Sequence, residues 1–310
     1  MIFLTGASGF IGSQFLSLVL KRGCQVKVLS RDLGQWVTNA SVEVYEGDLS
    51  REINWTRALM GVSVIVHMAA EIRDKNAMQS VNFDGPIRLL NAAIDAGVHR
   101  WVQLSSVGAY GAVQDGMVDE HWDDCPVGLY EKAKSDFDLA LIEASKSSHL
   151  EVCIVRPSNV YGPGMRNQSI EQMLNAIQKN LFAFVGPEGA SANYVHVQDV
   201  VKALDLCVKH PQAANQTYIV SAWATIEEMA SGLAIGVGLN PPSRRIPLRV
   251  ATLLAKAMQW WSCWPLTLSR VQAMSVRSRY SAKKIEKELG WKLTMPVKEG
   301  MREFARDLRQ

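Results

Sequence analysis

The stretch that decides the fold is Ile2-Phe3-Leu4-Thr5-Gly6-Ala7-Ser8-Gly9-Phe10-Ile11-Gly12, in which a short apolar run precedes three glycines spaced three residues apart. The apolar run predicts a buried strand. The segment 10–22 predicts a helix, because its apolar side chains recur on one helical stripe. The three glycines therefore lie in the turn between a strand and a helix.

Each of these glycines has its own physical role. Gly6 allows a tight turn, Gly9 lets the backbone approach a pyrophosphate, and Gly12 lets the helix pack close to the strand. The helix N-terminus adds unpaired N–H groups and the positive end of a dipole, which favour phosphate. The loop predicts a dinucleotide-binding site, with a plain tight turn as the alternative interpretation.

Strand-like and helix-like segments alternate along the first half of the chain. Strands are predicted over 2–4, 25–29, 42–45, 64–67, 101–104 and 151–155, and further helices over 77–96 and 129–147. This alternation predicts the α/β class, with a Rossmann-type doubly wound parallel sheet. Ligands of such sheets bind at the carboxyl ends of the strands.

Beyond residue 155 the alternation is interrupted by Pro157, Gly162 and the turn Gly186-Pro187-Glu188-Gly189. A helix over 169–180, strands over 194–197 and 216–220 and a helix over 199–209 are predicted in this part. We assign residues 1–160 plus about 193–220 to the dinucleotide-binding domain. Residues of about 161–192 and 221–310 are assigned to a smaller, mostly helical C-terminal substrate lobe.

Composition narrows the classes of function. A net charge of +3, with lysines and arginines spread evenly, does not predict a nucleic-acid partner. The five cysteines form no CxxC pair and the six histidines no ligand spacing, so neither a disulfide framework nor a metal site is predicted. No signal-peptide pattern precedes the glycine loop, and charges and prolines interrupt the apolar region 246–268. We expect a cytoplasmic enzyme without a transmembrane segment.

The end of the second predicted strand bears on the choice of cofactor. NAD-binding folds commonly carry an acidic residue there, which accepts a hydrogen bond from the ribose 2′-hydroxyl, whereas this chain has Ser30 followed by Arg31. A small hydroxyl beside a guanidinium suits a 2′-phosphate, so NADP is predicted and NAD is the alternative, with Asp32 as the acid. Asp48, after the third strand, is a candidate for the adenine amino group or a turn residue.

Three residues predict a catalytic group at the same sheet edge. Tyr130 and Lys134 are four residues apart in a predicted helix and therefore share one face. A phenol near an ammonium and an oxidised nicotinamide is favoured as phenolate, which suits it to acid–base work. Ser106, just past the fifth strand, is placed to orient a carbonyl or alcohol. Singly, each residue also fits a surface pair or a turn.

These residues closely resemble the extended short-chain dehydrogenase/reductase family, also called the NAD-dependent epimerase/dehydratase family. The glycine loop, His67-Met68-Ala69-Ala70 and the Tyr130/Lys134 spacing match its motifs in the first half. Further matches are Arg156-Pro157-Ser158-Asn159-Val160-Tyr161-Gly162-Pro163-Gly164, Tyr194-Val195-His196-Val197-Gln198-Asp199, and Leu289-Gly290-Trp291 with Glu299-Gly300. The resemblance spans nearly the whole chain.

The resemblance implies hydride transfer with Tyr130 as acid/base and a homodimer joined through the helices at about 77–96 and 129–147. The implied catalytic residues are Ser106, Tyr130 and Lys134. The residues expected at the dinucleotide are Gly6, Ser8, Gly9, Phe10, Ile11, Gly12, Ser30, Arg31, Asp48, Leu49, Ala69, Ala70, Tyr130, Lys134 and Pro157. Those expected at the substrate are Ser106, Asn159 and Arg166. His67, His196 and Tyr161 are interpreted as structural.

Two departures from the family pattern narrow the reaction. Sugar-nucleotide dehydratases carry adjacent acids shortly after the position of Ser106, where this chain has Val107-Gly108-Ala109, so dehydration is not predicted. Sugar-nucleotide members also carry a diphosphate-binding arginine two residues before the aromatic residue that is Tyr194 here, and this chain has Ala192. Arg166, Arg277 and Arg279 are possible substitutes for that cation.

Three hypotheses follow. The first is 4-keto reduction or C4 epimerisation of a nucleotide sugar, as in the synthesis of polysaccharide building blocks. The second is NADPH-dependent reduction of an apolar ketone, sterol-like or flavonoid-like. The third is a non-catalytic NADP-binding regulator.

Trp260, Trp261 and Trp264 either pack a helix between the lobes or contact a substrate or a bilayer.

Overall fold

The computed structural model describes residues 1–34, 36, 40–165, 168–257 and 267–309, with only the backbone at position 269. The strands are β1 Ile2–Thr5, β2 Val26–Ser30, β3 Val42–Glu46, β4 Val64–His67, β5 Arg100–Leu104, β6 Met117–Val118, β7 Glu151–Pro157, β8 Asn159–Tyr161, β9 Phe184–Val185, β10 Ser191–His196, β11 Gln216–Val220, β12 Trp223–Thr225, β13 Arg245–Ile246 and β14 Arg279–Tyr280.

The helices are α1 Phe10–Lys21, α2 Trp55–Ala58, α3 Gly85–Asp95, α4 Leu129–Ser147, α5 Ser169–Gln178, α6 Val197–Lys209, α7 Ile226–Gly236, α8 Leu248–Ala257, α9 Leu268–Ala273, α10 Lys283–Leu289 and α11 Val297–Asp307. Most predicted elements lie within two residues of an observed one. The main difference is at 77–96, where a π-helical turn, Ser80–Asp84, precedes α3. Pro86 has no N–H to donate, so one backbone hydrogen bond is missing at the junction of the π-helical turn and α3.

Seven parallel strands form the central sheet in the order β11-β7-β5-β4-β1-β2-β3. The order reverses beside β1, which pairs with β2 on one side and β4 on the other. This is the switch point at which a doubly wound sheet leaves a crevice for a ligand. The predicted Rossmann-type fold is confirmed.

Apolar side chains bury both faces of this sheet. On one face α1 and α6 contribute Phe15 and Leu204 to a cluster that also holds Trp291. On the other face α3 and α4 contribute Leu89 and Phe137. Burial on both faces explains why the strands are continuously apolar rather than alternating.

A second lobe packs beside the carboxyl edge of the sheet. Its three-stranded sheet has the order β12-β10-β8. Gly232 allows helices α7 and α11 to approach closely, since a Cβ at this position would lie 2.3 Å from the carbonyl oxygen of Lys298. The strand predicted at 194–197 is part of β10 and therefore belongs to this smaller sheet. In contrast, α6 and β11 pack on the central sheet.

Candidate active site

The glycine loop connects the end of β1 to α1 at the sheet's switch point. Gly6 has a φ of +70°, a left-handed conformation that favours glycine, and a Cβ there would lie 2.6 Å from the backbone nitrogen of Ala69. A Cβ at Gly12 would lie 2.0 Å from the carbonyl oxygen of Gly6. Larger residues would therefore push α1 away from the strand, as the sequence predicts.

The first turn of α1 has neither a capping side chain nor an acidic residue. The N-terminal N–H groups of a helix lack intrahelical partners, and the helix dipole places positive charge at the same point. The loop and this helix end therefore fit the pyrophosphate of a dinucleotide. Ser8, Phe10 and Ile11 are exposed or half-buried here, whereas Gly12 is buried.

At the end of β2 the side chain of Ser30 is turned inward. It is buried, and its Oγ donates to the carbonyl oxygen of Asp32 at 2.7 Å. Arg31 is exposed, and its charge contributes to lowering the pKa of both Asp48 and Glu71. Arg31 is thus placed where the adenosine end of a cofactor is expected, with two carboxylates within electrostatic range.

The pair Asp48 and Leu49 follows β3. Burial alone would raise the pKa of Asp48, but hydrogen bonds from the backbone and hydroxyl of Ser50 and the charges of Arg31 and Arg51 hold it below its usual value. Leu49 is buried, and its carbonyl oxygen accepts from Arg88 at 2.8 Å. Asp48 therefore forms the turn that the sequence offered as one of its two interpretations.

The end of β4 is fixed to the glycine loop by Thr5. Its Oγ1 lies 2.8 Å from Nδ1 of His67 and accepts the N–H of Ala69 at 3.2 Å. Burial holds the pKa of His67 well below its usual value, and the Lys134 charge acts in the same direction. A neutral, hydrogen-bonded imidazole supports the structural interpretation of His67, while Ala70 remains exposed at the same edge.

The three predicted catalytic residues come from two elements that meet at this edge. Lys134, on α4, donates from Nζ to the carbonyl oxygen of Leu104 at 2.5 Å, which ties the helix to the end of β5. Ser106 begins the short helical turn after β5 and its Oγ accepts the Gly108 N–H at 3.0 Å, so its own hydrogen is left to donate. Tyr130 lies one turn before Lys134 on α4.

The pKa values of Tyr130 and Lys134 suit proton donation by Tyr130. Burial, followed by the carboxylates of Glu131 and Asp138, raises the pKa of Tyr130 to about 12. Burial lowers the pKa of Lys134 to about 8, against the opposing effect of Asp138. At neutral pH the protein alone therefore holds a protonated phenol above a charged ammonium.

Beneath the pair lies a charge cluster that sequence reasoning missed. Asp138 is fully buried, and its Oδ2 accepts from Ser105 at 2.6 Å and from Arg156 at 3.1 Å. Arg156 also binds Asp124 through both terminal nitrogens, at 2.6 and 2.8 Å. The 130/134/138 spacing on one helix face, with an arginine inside an apolar strand, was the available signal.

A cavity of about 700 Å³ extends from this edge into the second lobe. Val107 lines it in the turn after β5, and Asn159 lines it just after β7. The remaining wall is mostly apolar and comes from α5, β10, α7, β13, α8, α9, β14 and the loops at 111–114, 181–183 and 274–278. Among the described residues that line the cavity, Arg270 is the charged one, and it donates to the amide oxygen of Gln172 at 2.6 Å.

Ten of the described lining residues carry neutral polar side chains. Asn159 donates from its amide to the carbonyl oxygen of Asn193 at 3.2 Å. Ser191 and Asn193, both on β10 and both less than a tenth exposed, have a hydroxyl and an amide oxygen without a hydrogen-bond partner. Unpartnered polar atoms are costly when buried, so these two oxygens are candidates for contacts with a ligand.

Two of the three proposed substitute cations, Arg277 and Arg279, are described by the structure and do not line the cavity. Arg277 donates to the carbonyl oxygens of Pro187 and Glu188, and Arg279 stacks over the ring of Trp223 at 3.7 Å. Ala192 is buried in the cavity wall. Arg166 and the tryptophans at 260, 261 and 264 lie outside the described residues, so their predicted roles stay predictions.

Comparison with protein families agrees with this geometry. The model of the NAD-dependent epimerase/dehydratase family matches residues 2–221. The chain belongs to this family. The resemblance predicted from the glycine loop and the Tyr130/Lys134 spacing is thereby confirmed.

Two curated relatives represent different chemistry. The UDP-glucose 4-epimerase of Vibrio cholerae is 26% identical, over 98% of this chain and 94% of that protein. Sterol demethylase protein B of Methylococcus capsulatus is 30% identical, over 80% of this chain and 77% of that protein. Among solved structures, the Thermus thermophilus UDP-glucose 4-epimerase in complex with NAD has a TM-score of 0.74 and 25% identity, covering 99% and 98% of the two chains.

The C-terminal signature of the family has a structural role in this chain. The Trp291 indole donates to the carbonyl oxygen of Asp199 at 2.9 Å, and the Asp199 carboxylate accepts from the backbone of Thr294 and Met295. A Cβ at Gly300 would lie 1.8 Å from the hydroxyl of Tyr161. These contacts fix the second lobe to α6.

None of the helices formed by described residues is long and apolar enough to cross a bilayer.

Proposed function

We propose that this protein is an NAD(P)-dependent oxidoreductase that reduces a ketone, or oxidises the corresponding alcohol, on a largely apolar substrate. The observation that carries the proposal is the cavity beside the catalytic turn, whose described wall is mostly apolar, with one charged side chain, Arg270, and ten neutral polar residues. Apolar area removed from water supplies about 25 cal/mol per Å², so such a cavity favours a ligand with an apolar body.

The bound nicotinamide supplies or accepts the hydride. Tyr130 donates a proton to the carbonyl oxygen as it becomes an alcohol, and a pKa of about 12 keeps that proton available at neutral pH. Ser106 orients the same oxygen with its free hydroxyl hydrogen. Lys134, charged below a pKa of about 8, stabilises the phenolate that remains and holds the cofactor ribose.

For the cofactor we propose NADP. The exposed guanidinium of Arg31, with a serine rather than an acid at position 30, favours a 2′-phosphate. The carboxylates of Asp48 and Glu71 near Arg31 oppose a further negative charge, and the Thermus relative was solved with NAD. NAD is therefore the alternative that the experiment below must test in parallel.

A second candidate is 4-keto reduction or C4 epimerisation of a nucleotide sugar. It is favoured by the Vibrio relative, which spans 98% of the chain, and by Asn159 in the cavity wall. Against it stands Ala192, a buried apolar residue in the cavity wall at the position where the family's sugar-nucleotide members carry a diphosphate-binding arginine.

The test is a substrate panel with both cofactors. Steroid and flavanone ketones should consume NADPH, whereas UDP-, dTDP- and GDP-sugars should not be turned over. Tyr130→Phe should lower kcat by about 10²–10⁴-fold and keep cofactor binding, since only the proton donor is lost. Tyr45→Phe is the matched control, because its hydroxyl donates to Asn54 on a different edge of the sheet.

Turnover of nucleotide sugars with tightly retained NAD would overturn the proposal in favour of the epimerase. If Tyr130→Phe left every activity and cellular role intact while NADP still bound, the non-catalytic regulator would be the correct hypothesis.

We also propose that the protein is a homodimer joined through α3 and α4. Leu139 supports this assembly, since it is an exposed leucine on α4. Analytical ultracentrifugation should give a dimer for the wild type and a weaker one for Leu139→Asp. A wild-type monomer at working concentration would contradict it.

A further inference from the structure

Helix α8 is inverted relative to an ordinary surface helix. Its small residues Ala251 and Ala255 are buried, against Val185 and Val271, while Leu253 is 68% exposed. A surface helix normally directs its large apolar side chains to the core. The large apolar side chains of α8 therefore lie on its solvent side.

Four exposed apolar side chains on and near α8 form a surface that we call the apolar rim: Leu181, Val250, Leu253 and Leu254. The last three share a helix face, because residues three and four apart are neighbours. Leu181, 74% exposed, is held close by, since Arg244 donates to the carbonyl oxygen of Asn180 and β9 pairs with β13.

The apolar rim surrounds an opening of the cavity. Leu181 and Leu254 both line the cavity and are both exposed, which marks a place where the cavity reaches the surface. An apolar molecule entering there would cross the apolar rim before reaching the catalytic edge.

The charges beside the apolar rim have one sign. Arg249 and Lys256 are exposed on α8, one turn to either side of Leu253, and Lys179 is exposed just before Leu181. The segments 172–187 and 239–257 contain no aspartate or glutamate. Apolar side chains flanked by cations are the pattern of helices that lie in the interface of an anionic bilayer.

We infer that the apolar rim binds the surface of an anionic lipid bilayer, with α8 lying in the plane of the interface and the cavity opening towards the lipid. This surface would let the enzyme take an apolar substrate from a bilayer and return the product. It goes beyond the proposed reaction and requires no membrane-spanning helix.

The test is flotation with vesicles. The wild type should bind phosphatidylcholine vesicles that contain phosphatidylglycerol, bind pure phosphatidylcholine more weakly, and lose affinity as sodium chloride is added. Leu253→Asp should lower the partition coefficient by about tenfold or more, the scale of one buried leucine. Met60→Asp is the matched control, since Met60 is 70% exposed outside the apolar rim.

Both variants should keep the wild-type unfolding temperature and NADPH affinity. If Leu253→Asp does not fold, Leu253→Ala should still weaken flotation several-fold. Absence of wild-type flotation, or equal flotation of Leu253→Asp, would overturn the inference. So would light scattering that shows a wild-type dimer and a Leu253→Asp monomer, neither bound to vesicles, because the rim would then cover a second copy. The assay uses no substrate, so its failure leaves the proposed reaction standing.

Discussion

The dinucleotide edge and the substrate cavity are built from different parts of the chain. At the dinucleotide edge the shape is made by backbone, since Gly6 and Gly12 bring β1, α1 and the end of β4 within van der Waals contact. In the cavity the shape is made by side chains from many separated elements and loops, most of them apolar. Substitutions at the dinucleotide edge should therefore change the backbone geometry, whereas substitutions in the cavity should change which ligand binds.

The largest expected effect is the loss of the buried carboxylate under the catalytic pair. Asp138→Asn leaves Arg156 with one anionic partner, Asp124, and should lower the free energy of unfolding by about 1.5–3 kcal/mol, since buried hydrogen bonds to a charged group are weakened. Urea unfolding measures it. Asp136→Asn is the control, because that carboxylate forms an exposed pair with Lys132. Equal effects of the two variants would contradict the assigned role of Asp138.

The next effect is on pH dependence. Burial lowers the pKa of Lys134 from 10.5 to about 8, so its ammonium is present below pH 8 and is lost above it, while Tyr130 stays protonated to about pH 12. For ketone reduction, kcat/KM should therefore fall about tenfold per pH unit above 8. Lys134→Arg should remove this fall, because a guanidinium keeps its charge. A fall that began near pH 10 instead would show that burial does not shift Lys134.

A smaller effect distinguishes the two candidate substrates. Ala192→Arg places a cation in the apolar wall and should weaken binding of a steroid ketone by about tenfold. Affinity for NADPH should be unchanged, because Ala192 lies on β10 in the other lobe. Ala192→Met controls for size without charge. If Ala192→Met weakened binding of the steroid ketone as much as Ala192→Arg, crowding rather than charge would be responsible for the loss.

The smallest effect concerns the cofactor. Arg31→Ala should reduce the preference for NADPH over NADH by about tenfold, the scale of one charge-assisted hydrogen bond. The measurement is the ratio of the two kcat/KM values. Lys75→Ala is the control, since Lys75 is an exposed cation outside the predicted cofactor residues. An unchanged ratio would favour Asp32 as the ribose contact and NAD as the cofactor.

The catalytic helix illustrates how far the sequence carried the site. Residues 129–147 were predicted with the observed bounds, because turn residues precede the helix and its apolar residues are periodic. The same helix holds Asp138, which was not identified, because a carboxylate on a helix is ordinarily a surface residue. Only the approach of β7, which brings Arg156 against α4, makes that carboxylate part of a buried network.

The sequence by itself determined the α/β fold, the dinucleotide loop and the Tyr130/Lys134 pair, because these depend on periodicity, on glycine conformations and on spacing within single elements. The tertiary structure decided the buried Asp138 cluster, the apolar cavity and the exposed face of α8. Each of those depends on which side chains distant segments bring together, and contacts between distant segments follow from packing rather than from local preference.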